Sequence, residues 1–274
     1  MKNQIFITLD SLRWDVFAGA DIPYLKKLGV WREAWTQGPY TLPAHISFFI
    51  GKLPVTYDNA PYYDSIALKD KPDGTGRFNA SHQLWRLTNP ESPKPGKFVL
   101  TGKNIIDGFN KIGFQTIGTG AVNWFNPALE PCRFLISDFQ KFRFFGPMQS
   151  AVEQIDWALG QVKECGEQPY FLFINLGETH HTFKYPGCPW WDDNRHYGHR
   201  ELCLERQRGC LEYLDDKIAK LLTGCENYDL VICSDHGEAL GEDGLWGHGF
   251  YHPVIMSVPL LYVVSEDGGY SIGD

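Results

Sequence analysis

Short apolar runs alternate along the chain with longer stretches whose apolar residues recur every three or four positions. The runs 4–9, 114–118, 170–176, 230–233 and 258–264 read as strands, most of them buried on both faces. Between them, residues 149–165 carry Val152, Ile155, Leu159 and Val162 on one stripe. Residues 201–222 carry Leu204, Leu211, Leu214, Ile218 and Leu221 on another, and both stretches predict long amphipathic helices. Shorter helices are expected over 22–29, 41–50 and 105–113, stopped by Gly29, Gly51 and Gly113. Pro43 suits the first turn of the second of these, where a missing N–H costs nothing. This alternation predicts an α/β fold with a mostly parallel central sheet and helices on both faces. Residues 52–100, rich in Pro, Gly, Asn and Asp, read as a long loop-bearing region over the sheet rather than a linker. Residues 1–274 are therefore expected to form a single domain.

Composition narrows the function classes. With 43% apolar and 15% aromatic residues, the chain can build a large core, which excludes a disordered segment. Its charge is 25 − 33 = −8, which argues against a nucleic-acid polymer as partner. The run 258–264 is seven residues long and contains Pro259, far short of the ~18 apolar residues a membrane span needs. The first residues show no apolar leader or small-residue cleavage site. Together with seven irregularly spaced cysteines, this predicts a cytoplasmic protein with reduced thiols. An oligomer is compatible with the sequence. One skew needs a cause: seven of nine histidines lie between His180 and His252.

In open α/β sheets, ligands bind at the carboxyl ends of the parallel strands. Three expected strands end directly in polar residues: Asp10, Glu178 to His181, and Asp235-His236. Asp235 and His236, within Ser234-Asp235-His236-Gly237-Glu238 and followed by Gly247-His248-Gly249, can both face one cation. Carboxylate oxygen with imidazole nitrogen suits Zn²⁺ or Mn²⁺ better than Ca²⁺. Each residue also has a plainer use. Asp235 can cap a turn, Asp10 can form one, and Thr41 can be an ordinary N-cap. The plainer uses lose ground when several strand ends carry such groups at once. Thr41 opens a helix whose positive end favours an anion, and its hydroxyl needs a base or metal to become a nucleophile. Of the adjacent His180 and His181, one is expected to face the site and the other to point away, as in extended chain. Lys184 follows closely and can bind an anion.

Other signals are weaker. Gly118-Thr119-Gly120 lacks the third glycine of a dinucleotide fingerprint. His196 and His199 have a metal-like spacing but sit in a charged, loop-like stretch. Trp190-Trp191 suits a pocket wall or loop packing equally.

Taken together, these segments resemble the alkaline phosphatase/sulfatase superfamily of metal-dependent hydrolases over most of the chain. The resemblance is carried by Asp10 in its segment with Ser11 to Asp15, by Thr41-Leu42-Pro43-Ala44-His45, and by Glu178-Thr179-His180. The segments Ser234 to Glu242 and Trp246-Gly247-His248-Gly249 are its most specific part. It implies an alkaline-phosphatase-like fold with a short C-terminal part. It further implies a divalent metal, Zn²⁺ or Mn²⁺, held by Asp10, Thr41, Asp235 and His236. Thr41 would be the nucleophile, His180 and His248 would assist the leaving group, and His45, His181 and Lys184 would bind substrate. A second metal involving Glu178, His181 and His248 stays open. Sulfatases oxidise a nucleophile-position cysteine to formylglycine, with an arginine four residues on. Here Thr41 and His45 stand at those positions, and Ser11 replaces the second acid of the first motif. The implied substrate is therefore a small phosphate or phosphonate ester, hydrolysed or transferred through a covalent phosphothreonine, as in phosphodiesterases and phosphotransferases of the superfamily. Two alternatives stand beside it: a sulfatase-like hydrolase working without formylglycine, and a catalytically silent metal- or ligand-binding relative.

Overall fold

The computed structural model describes residues 1–51, 104–266 and 269–271, so the stretch 52–100 lies outside the described residues. The strands are β1 (Asn3–Leu9), β2 (Arg32–Trp35), β3 (Gln115–Gly120), β4 (Lys141–Phe144), β5 (Tyr170–Leu176), β6 (Tyr228–Ser234), β7 (Ala239–Leu240), β8 (Trp246–Gly247), β9 (Ser257–Glu266) and β10 (Gly269–Ser271). The helices are α1 (Trp14–Gly19), α2 (Pro23–Lys27), α3 (Thr41–Ile50), α4 (Ile105–Lys111), α5 (Glu130–Ile136), α6 (Ala151–Cys165), α7 (Arg200–Thr223) and α8 (Pro253–Met256). Among the described residues the main sheet runs β10-β9-β6-β1-β5-β3-β4, with β2 paired to β9. Strands β1, β3, β4, β5 and β6 are mutually parallel. Strand β9 runs antiparallel to β6, and β2 and β10 antiparallel to β9. Strands β7 and β8 form a small separate hairpin.

Parity along the central strands decides the two faces. Ile5, Ile7 and Leu9 of β1 pack with Tyr170, Leu172 and Ile174 of β5 and Leu230 and Ile232 of β6. That face is covered by α1, α2, α6 and α7, through Phe17, Leu25, Ile155, Leu214 and Ile218. Each such fully buried Leu or Ile contributes roughly 1.5–3 kcal/mol. The opposite face presents Phe6, Phe171 and Phe173 to Ile46 and Phe49 of α3, Ile106 of α4 and Leu135 of α5. Both faces are thus buried, as the continuous apolar runs predict. Strands β2 and β4 are short, and none of their residues is fully buried. They carry no apolar run that sequence patterning could register.

Register carries this order to the strand ends. Leu9 lies opposite Leu176 of β5 and Ser234 of β6. The next residues, Asp10 and Asp235, therefore leave the sheet side by side. By parity with Phe6 and Thr8, Asp10 falls on the face that α3 covers.

Candidate metal centre and active site

The ends of β1, β5 and β6 are stitched together before any ligand is considered. Ser234 Oγ accepts from the Leu12 N–H at 2.9 Å and lies 2.7 Å from the Leu9 carbonyl. Thr179 donates its hydroxyl to the Asp10 carbonyl at 2.7 Å, and the Gln207 amide from α7 donates to the Ser11 and Thr179 carbonyls. Ser11 holds φ at 62°, a left-handed conformation unusual for serine. That twist lets its N–H donate to Asp235 Oδ1 at 3.1 Å, and the His236 N–H donates to the same oxygen at 3.0 Å. Gly237 makes the turn possible, because a Cβ there would meet the Val254 carbonyl oxygen at 2.2 Å.

These constraints converge four side chains. Asp10, Asp235 and His236 are fully buried and offer ligand atoms within 4.8 Å of one another. Thr41 Oγ1, at the first position of α3, lies 3.5 Å from Asp10 Oδ2 and 3.5 Å from His236 Nε2. His236 donates Nδ1–H to the Gly237 carbonyl at 2.8 Å, which leaves the Nε2 lone pair facing the group. Burial and the neighbouring His248 push His236 well below its ordinary value, so it stands there as a neutral imidazole. Asp235 Oδ2 is buried with no hydrogen-bond partner. Burial and the Asp10 charge push the Asp235 carboxyl well above the usual carboxylate range. Burial works the same way on Asp10, but His180, His236 and the Asn175 amide outweigh it and hold that carboxyl down. Two close buried carboxylates, one with an orphan oxygen, beside a neutral imidazole and a hydroxyl fit a divalent cation.

Three further histidines form the outer wall. His180 donates Nδ1–H to the His181 carbonyl at 2.7 Å and turns Nε2 to 4.0 Å from Asp10 Oδ1. The His248 ring lies 4.4 Å from His236 and 5.2 Å from His180. Its Nδ1–H donates to Glu238 Oε2 at 2.5 Å, inside a fully buried environment for Glu238. Burial opposes charge on both partners, but their pairing prevails: Glu238 is held at about 2 and His248 is raised. Four of the seven histidines between His180 and His252 are this wall, His180, His181 and His248, together with His236.

No family model and no curated protein matches the sequence. Solved structures do match the coordinates. The C-terminal periplasmic domain of the phosphoethanolamine transferase EptC from Campylobacter jejuni superposes with TM-score 0.60 at 14% identity, covering 95% of this chain and 78% of that one. The EptC domain from Escherichia coli, solved in complex with Zn, gives TM-score 0.59 at 13% identity over 94% of this chain and 71% of that one. A candidate sulfatase, yidJ, from Bacteroides fragilis gives 0.59 at 14% identity, over 95% and 67%. A protein in the alkaline phosphatase superfamily from Vibrio parahaemolyticus gives 0.56 at 14% identity, over 97% and 60%. The chain has the alkaline phosphatase/sulfatase fold. In that fold, the convergence of Asp10, Thr41, Asp235 and His236 at the carboxyl ends of the strands follows from the sheet order already described.

Several sequence-based expectations need correction within this fold. His45 is not open to substrate. It is fully buried, edge-on to the Phe48, Phe49, Phe125 and Phe173 rings, and burial pushes its imidazole down to about 4. Lys184 does not reach the site either, because its ammonium donates to the Trp191 carbonyl at 2.5 Å and to Asn194 Oδ1 at 2.9 Å. Glu178 takes the Ala151 N–H at 2.7 Å, at the start of α6, and is not grouped with the metal ligands. The two adjacent histidines do not point apart. The chain turns after β5, so the His180 and His181 rings lie 4.4 Å from each other, and His181 also faces His248 and Tyr197. Burial holds His181 at about 3, so near neutral pH it lines the wall without charge.

Patterning also passed over working residues. Thr8 and Asn175 interrupt otherwise apolar runs at paired positions of β1 and β5, and that shared interruption was the available signal. Glu238 lay inside the motif Ser234-Asp235-His236-Gly237-Glu238, but only the fold shows that it holds His248.

Proposed function

We propose that the chain is a metal-dependent hydrolase or transferase of phosphate or phosphonate esters, with Thr41 as nucleophile. The observation that carries this reading is the Thr41 hydroxyl at the N-terminus of α3, within 3.5 Å of both Asp10 Oδ2 and His236 Nε2. Asp10, Asp235 and His236, with Thr41, are the residues that would hold a Zn²⁺ or Mn²⁺ ion. When bound, such an ion supplies Lewis-acid stabilisation of the alkoxide and of the substrate's charge.

Thr41 Oγ1 attacks phosphorus, forming the Thr41 O–P bond as the bond to the leaving oxygen breaks. The Thr41 proton is released to solvent; Asp10 Oδ2 and His236 Nε2 lie equally near the hydroxyl, at 3.5 Å. His248 is oriented by Glu238 through Nδ1, so its Nε2 is the atom that carries a proton toward the leaving oxygen. His180 Nε2, 4.0 Å from Asp10 Oδ1, stands beside the same space and would contact the substrate's anionic group. Water or an acceptor alcohol then attacks phosphorus and releases Thr41. The fold relationship to a phosphoethanolamine transferase supports the transferase branch, and the threonine in place of an oxidisable cysteine supports phosphoryl over sulfuryl substrates.

The test is to load the purified protein with Zn²⁺ or Mn²⁺ and to assay aryl phosphate mono- and diesters beside aryl sulfates. Phosphoester turnover is expected, with a loss of at least ~10³-fold in Thr41→Ala. Full turnover in that variant removes the nucleophile assignment. Sulfate cleavage without phosphate cleavage replaces the substrate assignment.

A further inference from the structure

Beneath the site, buried polar residues form a chain in which the direction of each hydrogen bond follows from its partners, although Asn175 Oδ1 has no partner among the described residues. Thr8 of β1 and Asn175 of β5 are direct neighbours across the sheet, and His45 lies over them on α3. Both amide hydrogens of Asn175 are used: one goes to Thr8 Oγ1 at 3.0 Å, the other to Asp10 Oδ2 at 3.2 Å. The Thr41 carbonyl, 2.7 Å from His45 Nδ1, can only accept, so Nδ1 carries the hydrogen. A neutral imidazole with Nδ1–H accepts at Nε2, so the Thr8 hydroxyl, 3.1 Å away, donates. Thr8, His45 and Asn175 are fully buried, so each hydrogen bond lacks a competing water.

Helix α3 otherwise meets the sheet through apolar side chains such as Ile46 and Phe49. Apolar contact is non-directional and sets the depth of the helix more firmly than its position along its axis. In-line attack depends on sub-ångström placement of the nucleophile. We propose that His45, Thr8 and Asn175 are positioning residues that register Thr41 on α3 against the Asp10 carboxylate of β1. His45, at the position where sulfatases carry an arginine, acts here through the nucleophile's own backbone. This inference rests on Thr41 being the nucleophile.

The test compares Thr8→Val, which keeps the shape and removes the hydroxyl, with Thr8→Ser, which keeps the hydroxyl. Activity is read with the aryl phosphate ester that the wild type turns over, at a temperature where circular dichroism shows all variants folded. Thr8→Val is expected to lower kcat about tenfold with KM within about twofold, and Thr8→Ser to recover most of the loss. Independently of activity, long-range ¹H–¹⁵N spectra of histidine-labelled, metal-free protein should show His45 as the Nδ1–H tautomer, with the Nε2 resonance displaced in Thr8→Val. Unchanged kcat in Thr8→Val beside an inactive Thr41→Ala overturns the positioning role alone. So does an Nε2–H tautomer at His45. Full turnover in Thr41→Ala overturns the nucleophile reading, and the positioning role with it.

Discussion

Two buried carboxylates stand at the ends of the strands that flank β1, and their fates differ. Asp235 follows β6 and Glu178 follows β5. Both are fully buried, both accept a backbone N–H on one oxygen, and both leave the other oxygen without a partner. Burial raises both, Glu178 to about 8. Neighbours separate them. Asp235 looks toward Asp10 and His236, whereas Glu178 looks toward the start of α6. A buried acid with a spare oxygen is therefore not by itself a metal ligand. The geometry that matters is convergence with other donors, and it comes from which strands are adjacent.

The contrast can be broken most sharply at Asp235. Asp235→Asn is expected to weaken zinc binding by at least ~100-fold and to abolish ester turnover. The same change should raise the melting temperature of the metal-free protein, because it removes a carboxyl whose ionisation is opposed by burial and by Asp10. Calorimetric titration with zinc and thermal unfolding after chelation measure both effects. An unaltered zinc affinity would erase the distinction between the two acids.

Glu178→Gln probes the other side of the contrast and should leave zinc affinity unchanged. Its effect is on stability. The carboxyl titrates near 4.5 when unfolded and near 8 when buried, so between those values the unfolded chain holds fewer protons. Wild-type stability from this group is full below about 4.5 and is lost as pH rises toward about 8. The glutamine variant lacks this slope and should be the more stable protein at pH 8.5, by on the order of a few kcal/mol. Urea unfolding of both proteins at pH 5 and pH 8.5 checks the sign; parallel pH profiles contradict it.

The smallest effect is expected at Lys184, which lies in the loop between Glu178 and α7. Lys184→Met should leave kcat and KM unchanged while costing about 1–2 kcal/mol of stability, since the Trp191 carbonyl and Asn194 lose their donor. A raised KM without a stability change would restore Lys184 to substrate binding.

The legible parts of the site were those where a strand stops. Asp10, Asp235 and His236 follow apolar runs directly, and Thr41 opens a helix capped by Gly51 at φ 64°. The residues misread were those whose role depends on what covers them. His45 looked like a substrate contact because it sits four residues after the nucleophile, but one turn along α3 turns it into an aromatic pocket. Lys184 looked free because sequence distance says nothing of Trp191 and Asn194. The outward turn expected of one histidine assumed extended chain, where the backbone in fact turns.

Local sequence determined the longer elements of this protein. Period-two and period-3.6 patterns specify strands and helices because side-chain direction repeats with the backbone, and parity alone puts Asp10 on the same face as Thr8. Tertiary structure decided the order β6-β1-β5, which sets Asp235 beside Asp10 and Asn175 beside Thr8. It also decided that α3 covers that face and not the other. Those choices join segments more than a hundred residues apart, such as Asp10 and Asp235, and they are set by burying both sheet faces at once rather than by any local pattern.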